Sequence, residues 1–216
     1  MTDNLREVFN RIAPGWYNYR HRTIFRRELE GLAKEWKGGK LLNLGCGHGA
    51  DFLPFSNNFE LYGLDFSDEM ISLARKYAGK FGFDVNLVVA DVCYLPYNNE
   101  TFDYIIAVAT YHHLKREQQL TAFLELKRVL KPDGTAFITV WNRWQRRFWF
   151  KGKEVQVPWR MQHETLYRYY FLFTYGQLER LAREAGLEII KIFPESAYHL
   201  PFKLFSQNIC LLVKKK

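Results

Sequence analysis

Apolar residues along the chain alternate between short continuous runs and longer stretches with helical spacing. The short runs are rich in branched and aromatic residues and are therefore predicted to be strands. They fall at residues 40–44, 60–64, 85–90, 102–109, 135–140, 188–193 and 208–213. The helical stretches lie between them, so that strands and helices are predicted to alternate along most of the chain.

Capping and breaking residues set the ends of the predicted helices. At the N-terminus Leu5, Val8, Phe9 and Ile12 share one helical face, and Pro14-Gly15 is expected to end that helix. Further helices are predicted at 23–36, from the glycine-rich turn into the fifties, at 67–81, at 117–130 before a turn at 131–134, and at 174–186. Ser67 is the expected N-cap of one of them, and Thr174-x-x-Gln177 resembles a capping box that opens the last.

Strands separated by helices of this length require crossover connections. Such connections predict a doubly wound α/β fold with a mostly parallel sheet covered on both faces. The exception is 141–173, a stretch of thirty-three residues with little clean periodicity. So long a stretch in a compact domain is typical of a functional insertion. We therefore expect a single domain over 1–216, with a helical cap at 1–38 and a substrate lid at 141–173.

Composition narrows the class of protein. The chain has 216 residues, 17% of them aromatic, and a net charge of +8, which favours an anionic partner such as RNA. Three widely spaced cysteines without a C-x-x-C pair argue against a disulfide framework and against a metal site of the chain's own. Without an apolar leader or a run long enough to cross a membrane, the expected location is the cytoplasm, with no membrane association.

The residues most informative about chemistry follow the first predicted strand. Gly45, Gly47 and Gly49 occupy alternate positions, and glycine allows a tight turn that a ligand can approach closely. Asp65 ends the second predicted strand, twenty residues after Gly45. In doubly wound folds an acid at that position accepts hydrogen bonds from ribose hydroxyls. The pattern therefore predicts a nucleoside-containing ligand, and a further acid at Asp91 strengthens that prediction.

A dinucleotide is one alternative ligand. Its fingerprint is G-x-G-x-x-G, with the pyrophosphate at a helix N-terminus. In this chain Ala50 replaces the last glycine of that pattern and Asp51 follows directly. A carboxylate so close would repel a pyrophosphate and would suit a cationic sulfonium, which favours S-adenosylmethionine.

Successive motifs over residues 40–140 resemble those of the class I S-adenosylmethionine-dependent methyltransferases. They read LGCGHG at 44–49, GLDFS at 63–67, ADV at 90–92, FD at 102–103 and ELKRVLKPDG at 125–134. The resemblance implies a seven-stranded sheet with a C-terminal antiparallel hairpin, S-adenosylmethionine as cofactor and S-adenosylhomocysteine as product. It also implies cofactor contacts, with the glycines at the methionine part and Asp91 and Val92 at the adenine. The implied set is Gly45, Cys46, Gly47, Gly49, Asp65, Phe66, Ser67, Asp91, Val92 and Ala107.

A narrower resemblance spans nearly the whole chain. The sequences FNRIAP at 9–14, AVATYHH at 107–113, VPW at 157–159, RYY at 168–170 and FTYGQLE at 173–179 are similar to tRNA methyltransferases that esterify 5-carboxymethyluridine at the wobble position. This resemblance implies a tRNA substrate, a carboxylate acceptor and a small zinc-binding activator protein as partner. The chain departs from the family at Phe171, where a histidine is usual after RYY, and its insertion is short.

Methylation of a carboxylate needs positioning more than a base, because the acceptor is already ionised at neutral pH. Cations and hydrogen-bond donors that hold it, and aromatic rings that stack on a flipped base, are therefore the expected catalytic groups. The catalytic candidates are His112, His113, Arg160, Arg168, Tyr17 and Trp141. Tyr19, Trp159 and Tyr169 are additional rings for stacking.

The insertion also carries a basic cluster interleaved with aromatic residues, which is typical of a surface for RNA phosphates and bases. Its cations are Arg143, Arg146, Arg147, Lys151 and Lys153. Two other functions remain open from the sequence. One is a small-molecule methyltransferase of the quinone-precursor type, for which an apolar lid is expected instead of a basic one. The other is a non-catalytic scaffold, which the intact glycines and Asp65 disfavour.

Overall fold

A computed structural model describes the backbone of residues 2–216 and the side chains from Leu5 onward. The helices of this range are α1 (Thr2–Tyr19), α2 (Arg26–Glu35), α3 (Asp68–Phe81), α4 (Arg116–Val129) and α5 (Tyr175–Glu184). The strands are β1 (Gly39–Leu44), β2 (Phe59–Asp65), β3 (Asn86–Val89), β4 (Phe102–Val108), β5 (Leu130–Trp141), β6 (Glu154–Arg160), β7 (Thr165–Phe171), β8 (Glu188–Pro194) and β9 (Asn208–Lys214). Within this range, no helix combines the length and hydropathy needed to cross a bilayer.

Seven strands form one sheet in the order β3-β2-β1-β4-β5-β9-β8. The first five run parallel, and β9 is antiparallel to both of its neighbours. The strand order reverses at β1 and β4, where crossovers leave on opposite sides and a crevice opens at the carboxyl ends of the strands. This arrangement confirms the predicted α/β class, the mostly parallel sheet and the C-terminal hairpin.

Both faces of the sheet are buried because neighbouring residues of a strand point to opposite sides. In β1, Leu42 packs with the cluster that contains Phe123 of α4 and Leu178 of α5. Leu41 packs with the other cluster, which contains Leu29 of α2 and Ile71 of α3. The near-continuous apolar strands seen in the sequence are therefore the consequence of helices on both faces.

The first helix is longer than the sequence predicts. It continues through Pro14 to Tyr19 instead of ending at Pro14-Gly15. A proline inside a helix removes one backbone hydrogen bond and costs roughly 3 kcal/mol. Tertiary burial offsets this cost, because Ala13 is fully buried before the proline and Tyr17 is buried after it. The prediction of a break was wrong because these contacts are not local.

The segment 141–173 is also more regular than predicted. Strands β6 and β7 pair antiparallel with Val157 opposite Arg168, and they form a small second sheet. In β6 half-buried and exposed positions alternate, the pattern of a ribbon with one packed face. The turn expected at 131–134 lies inside β5, which begins at Leu130, and Asp133 there has a φ of 62°. The pairing of β5 with β4 shifts register at this point.

Candidate active site

A cleft of about 1100 Å³ opens at the carboxyl ends of the parallel strands. Its floor comes from the segments that follow β1, β2, β3 and β4, and its roof from α1 and the β6–β7 hairpin. Helix α1 holds this roof in place, because Val8, Phe9 and Ile12 pack with Met70 of α3 and against Trp159 and Leu166 of the hairpin. The predicted cap and lid therefore lie over one common site.

The glycine turn after β1 forms one wall of the cleft. Gly45 has a φ of 68°, and a Cβ atom there would lie 2.4 Å from the side chain of Thr110. Gly47 has a φ of 52°, and a Cβ atom there would meet nothing within 4 Å. The backbone at Gly47 is therefore open to a ligand. Gly49, in contrast, packs against Phe52 and Ala74 and does not line the cleft.

Asp65 joins this turn to the start of α3. Its Oδ2 accepts a hydrogen bond from the Gly47 N–H at 2.9 Å, and its Oδ1 accepts one from the Ser67 N–H at 2.9 Å. Burial raises the pKa of Asp65 to about 6, although the backbone N–H groups of Ser67, Gly47 and Phe66 act in the opposite direction. A carboxylate fixed by backbone donors and facing the cleft is the group that ribose hydroxyls require.

Ser67 does not line the cleft, and its hydrogen bonds stabilise the surrounding structure. Its Oγ accepts a hydrogen bond from the Met70 N–H at 3.1 Å, which caps α3. The same hydroxyl donates to Oδ1 of Asn10 in α1 at 2.6 Å. Ser67 therefore anchors the roof of the cleft to its floor, and its place in the cofactor motif reflects this packing.

The end of β3 and the end of β4 complete the cofactor side. Asp91 and Val92 line the cleft, and Oδ1 of Asp91 accepts a hydrogen bond from the Cys93 N–H at 2.8 Å. Ala107, a residue of β4, is fully buried in the core and lies outside the lining. Thr110 takes its place at the cleft and donates to the Leu44 carbonyl oxygen at 2.9 Å. Sequence reasoning missed Thr110 because a threonine after a strand carries no distinctive signal.

Two further residues reach the cleft: Asp51, which the sequence favours as a group near a sulfonium, and His48, which was not a predicted site residue. Burial lowers the pKa of His48 to about 4 and raises that of Asp51 to about 6. His48 packs edge-to-face on Tyr17 and on Tyr77. Tyr17, a predicted catalytic residue, lies behind His48 and does not line the cleft, and Tyr19 is 75% exposed.

At the other end of the cleft, two adjacent histidines follow β4 with different hydrogen-bond partners. Nδ1 of His112 accepts from the Trp141 N–H at 3.2 Å, so its ring proton is on Nε2. Nδ1 of His113 donates to the Tyr169 carbonyl oxygen at 2.9 Å, which leaves Nε2 as an acceptor. Burial holds the pKa of His112 well below its usual value and lowers that of His113 to about 4. Both rings are therefore neutral at pH 7.

Aromatic rings form the wall beside these histidines. Trp141 stacks on Tyr170 with ring centroids 4.0 Å apart, and Tyr170 stacks on His112 at 4.8 Å. The guanidinium of Arg147 lies 4.2 Å above the Trp141 ring. Across the cleft, Trp16 of α1 and Trp159 of β6 are 5.4 Å apart. The site thus offers flat apolar surfaces on two sides.

Arg168 lies between these walls and is only 6% exposed. Its guanidinium carbon is 5.2–5.5 Å from the ring centroids of Trp16, Trp159 and Tyr170. Within the described side chains no carboxylate forms an ion pair with it, and its buried Nε has no hydrogen-bond partner. Burial lowers the pKa of this group, but a guanidinium remains charged at neutral pH. The cleft therefore contains a buried cation that lacks an anion.

Arg160, the other predicted cation of the hairpin, is exposed at the end of β6 and outside the cleft lining. Tyr169 lines the cleft beside Arg168. Among the side chains from residue 5 onward, no three His, Cys, Asp or Glu groups converge as a metal site would need. The structure thus brings Gly45, Cys46, Gly47, Asp65, Phe66, Asp91 and Val92 together with His112, His113, Trp141 and Arg168.

The cofactor implied by the motifs fits this geometry. The open backbone at Gly47 leaves room for the amino-acid part of S-adenosylmethionine, and Asp65 can accept from its ribose. Beside them, Asp51 and Asp65 are acidic groups suited to a cationic sulfonium. The carboxylate of Asp51 beside the glycine turn disfavours a pyrophosphate, which needs donors and cations.

Proteins of known name are similar in sequence to this chain. A family model described as a methyltransferase domain matches residues 41–134. The chain is 33% identical over 159 residues to the tRNA (carboxymethyluridine(34)-5-O)-methyltransferase of Saccharomyces cerevisiae, covering 71% of this chain and 55% of that protein. It is 27% identical over 213 residues to the protein of the same name in Schizosaccharomyces pombe, covering 86% and 89%. The chain spans 33% to 55% of the length of the first four relatives.

Solved structures share the fold. A protein from Pyrococcus horikoshii OT3 superposes with a TM-score of 0.70 at 23% identity, over 88% of this chain and 90% of that one. This structural similarity shows the fold alone. The family model matches the segment that contains the glycine turn, Asp65 and Asp91. The cofactor of this family is S-adenosylmethionine. The chain therefore has the fold of solved S-adenosylmethionine-dependent methyltransferases, and its residues 41–134 match a methyltransferase domain.

Proposed function

We propose that this protein transfers a methyl group from S-adenosylmethionine to the carboxylate of 5-carboxymethyluridine at the wobble position of tRNA. The observation that carries the proposal is Arg168, a buried cation in the cleft without an anionic partner among the described residues. The names of the relatives support the same acceptor, since those in Saccharomyces cerevisiae and Schizosaccharomyces pombe are called carboxymethyluridine methyltransferases.

A buried cation without an anion is costly, because it has lost hydration without gaining a counter-charge. A planar guanidinium is matched by a carboxylate, which can accept two parallel hydrogen bonds from it. An anionic acceptor would therefore complete the site, whereas a neutral acceptor would leave the charge uncompensated. Arg168 is accordingly the residue that we assign to the acceptor carboxylate.

The protonation states of the cleft suit this reaction. The cofactor supplies an electrophilic methyl group on a sulfonium. A carboxylate is ionised at pH 7 and needs no general base. His112 and His113 are neutral there, so we assign them to hydrogen bonding and positioning, with Nε2–H of His112 as the donor. Catalysis then rests on orientation in a site from which water is excluded.

Aromatic groups are proposed to hold the base that carries the carboxymethyl group. Trp141, stacked on Tyr170, offers one flat surface, and Trp159 beside Trp16 offers the opposite one. A base displaced from a loop regains its lost stacking on such rings. Tyr17 and Arg160 are outside the cleft lining and are not included in this assignment.

Cofactor contacts are proposed for the residues that line the other end of the cleft. Asp65 is assigned to the ribose, Gly45 and Gly47 to the methionine part, and Asp91 with Val92 to the adenine. Cys46 and Phe66 are assigned to packing against the bound molecule. The cap and lid of the predicted domain plan are the segments that would close over both substrates.

A small zinc-binding activator protein is proposed as partner from the narrower sequence resemblance, and the cytoplasm as location. We expect the isolated chain to be poorly soluble or inactive, and addition of the activator to restore methyl transfer. Full activity of the purified chain alone would contradict an obligatory partner.

Mass spectrometry of nucleosides tests the proposal. tRNA bearing 5-carboxymethyluridine is incubated with enzyme and isotope-labelled cofactor, with and without the activator, and the methyl ester is expected as a labelled product. tRNA bearing the uncharged carbamoylmethyl analogue serves as control and should remain unmodified. Equal labelling of the two would contradict a carboxylate acceptor. Labelling of quinone precursors instead of tRNA would support the small-molecule alternative, and failure to bind the cofactor in calorimetry would support the scaffold.

A further inference from the structure

Two segments that are distant in the sequence form one surface beside the cleft. They are residues 143–153, after β5, and residues 196–206, before β9. Asn142 Nδ2 donates to the Leu204 carbonyl oxygen at 2.7 Å, and Gln145 Nε2 donates to the Gln207 carbonyl oxygen at 2.7 Å. We call this surface, formed by 143–153 and 196–206, the basic aromatic surface.

Large apolar rings of this surface face solvent. Phe150 is 99% exposed, Phe202 70%, Trp149 45% and Phe205 42%. The rings of Trp149 and Phe205 come from different segments and lie 6.0 Å apart, so they form one patch. A contiguous patch of exposed rings marks an interaction site, since isolated exposed apolar residues are common but clusters are not.

The charge of the surface has a single sign. The two segments contain Arg143, Arg146, Arg147, Lys151, Lys153 and Lys203 and no aspartate or glutamate. Across the side chains described from residue 5 onward, no carboxylate forms an ion pair with any of these six cations. Arg143 holds the loop together by donating to the Phe148 carbonyl oxygen at 2.5 Å. The surface therefore complements a polyanion.

The basic aromatic surface is continuous with the cleft. Arg147 belongs to the surface and also lines the cleft, where its guanidinium covers Trp141. Trp141 in turn stacks on Tyr170, next to the position assigned to the acceptor base. The surface and the cleft therefore adjoin at Arg147, so a chain with one unit in the cleft can reach the surface with its next units.

We propose that the basic aromatic surface binds the unpaired nucleotides of the RNA that flank the methylated nucleoside. Exposed rings stack on bases of any sequence, and the cations contact the phosphates between them. The inference rests on the proposed function for the identity of the polyanion. An acidic protein or an anionic membrane is less consistent with a surface that runs into the cleft assigned to the cofactor and the acceptor nucleoside.

Fluorescence anisotropy measures this binding directly. The probes are a labelled RNA hairpin with 5-carboxymethyluridine in its loop and the same hairpin fully base-paired to its complement. Trp149→Ala combined with Phe205→Ala should weaken binding of the loop by on the order of tenfold for each ring, and should change binding of the duplex much less. Arg146→Glu combined with Lys151→Glu should also weaken binding and make it less dependent on salt.

Matched controls come from exposed residues outside the basic aromatic surface and outside the cleft lining. Tyr94→Ala removes a ring that is 76% exposed outside the cleft lining, and Lys80→Glu reverses an exposed cation at the end of α3. Both controls should bind the hairpin like the unmodified protein. Unchanged affinity in the ring variant and in the charge variant would overturn the proposal, as would loss of binding to anionic lipid vesicles with RNA binding unaffected.

Methylation of the free nucleoside 5-carboxymethyluridine separates this proposal from the proposed function. Selective loss of methylation on the hairpin, with methylation of the free nucleoside retained in the ring variant, would support the basic aromatic surface. Normal methylation of the hairpin by both variants would overturn the surface and leave the proposed function intact. Loop binding that depends on the surface, without methylation of either substrate by the unmodified protein, would overturn the proposed function alone.

Discussion

The two ends of the cleft are constructed in different ways. On the cofactor side, Asp65 accepts hydrogen bonds from the backbone of Gly47 and Ser67, all within one stretch of about twenty residues. On the acceptor side, Trp16, Trp141 and Arg168 come from α1, β5 and β7, which are far apart in the sequence. The glycine turn and Asp65 therefore belong to one short segment, whereas the acceptor side is assembled from distant parts of the chain.

The two ends also differ in how complete they are without ligand. The carboxylate of Asp65 already has backbone donors, so a cofactor adds further bonds to a formed site. Arg168 has aromatic neighbours but no anion among the described residues, so an acceptor would supply the missing charge. We therefore propose that the cofactor end binds the ligand common to such enzymes and that the acceptor end selects its substrate by charge.

The largest effect is expected from Asp65→Ala at the cofactor end. Removal of the carboxylate takes away hydrogen bonds to the ribose worth about 1.5–3 kcal/mol each, so affinity for S-adenosylhomocysteine should fall by on the order of 100-fold or more. Isothermal titration calorimetry provides the measurement, with circular dichroism to verify folding. Asp84→Ala, at an exposed carboxylate, is the control and should bind normally. Normal affinity in Asp65→Ala would refute the ribose assignment.

Arg168→Met should impair only the acceptor end of the cleft. Loss of a charge-assisted hydrogen bond is expected to lower kcat/KM for the carboxylate acceptor by about 10- to 100-fold, while cofactor affinity stays unchanged. The Tm should not fall, because a buried cation without an anion is replaced by an apolar side chain of similar length. Arg160→Met in the same hairpin should leave both measurements unaltered. A parallel fall in cofactor affinity would mean that the two ends are not separate.

Acid should weaken the cofactor end specifically. Because burial raises the pKa of Asp65 to about 6, affinity for the cofactor should decrease below that pH, by at most about tenfold per pH unit. In Asp65→Asn the affinity should be lower and less dependent on pH. The pKa of Asp51 is also raised to about 6, so Asp51→Asn measures how much of the pH dependence of affinity comes from Asp51. Invariant affinity between pH values of about 5 and 7 in the unmodified protein would contradict this role of the carboxylates.

Without ligand, acid has the opposite effect on the stability of the folded protein. A carboxyl whose pKa is raised on folding stabilises the folded protein below its unfolded value of 3.8, and this contribution is lost as the pH rises through about 6. Acidification should therefore weaken cofactor binding while relieving the cost of burying Asp65. Calorimetric titration and chemical unfolding of the same samples distinguish the two effects.

At the histidines of the acceptor end, the expected effect is on the pH dependence of folding stability. Folding lowers the pKa of His113 from 6.5 to about 4, so its contribution to stability is present above 6.5 and declines as the pH falls towards 4. In His113→Phe the loss of stability between pH values of about 7 and 5 should be about 2 kcal/mol smaller. Urea unfolding at the two pH values measures it, and His199→Phe, at an exposed histidine, should change nothing. An identical pH dependence in His113→Phe would mean that this ring is not buried in its neutral form.

The amino-acid sequence by itself determined the alternation of strands and helices and the cofactor end of the cleft. Apolar runs such as 60–64 identify buried strands, because helices cover both faces of the sheet. Gly47 and Asp65 are recognisable because their turn and their strand end are consecutive in the fold, and local geometry demands those residue types.

Only the tertiary structure decided which of the remaining candidates face the cleft. Trp16 and Tyr17 are neighbours in α1, but the docking of that helix turns Trp16 towards Trp159 and Tyr17 towards His48. The same packing allows α1 to continue through Pro14, although a proline locally favours the end of a helix. Arg168 and Arg160 share a hairpin, and the face that packs on α1 buries one and exposes the other. These choices depend on contacts between distant segments, which no local pattern of residues contains.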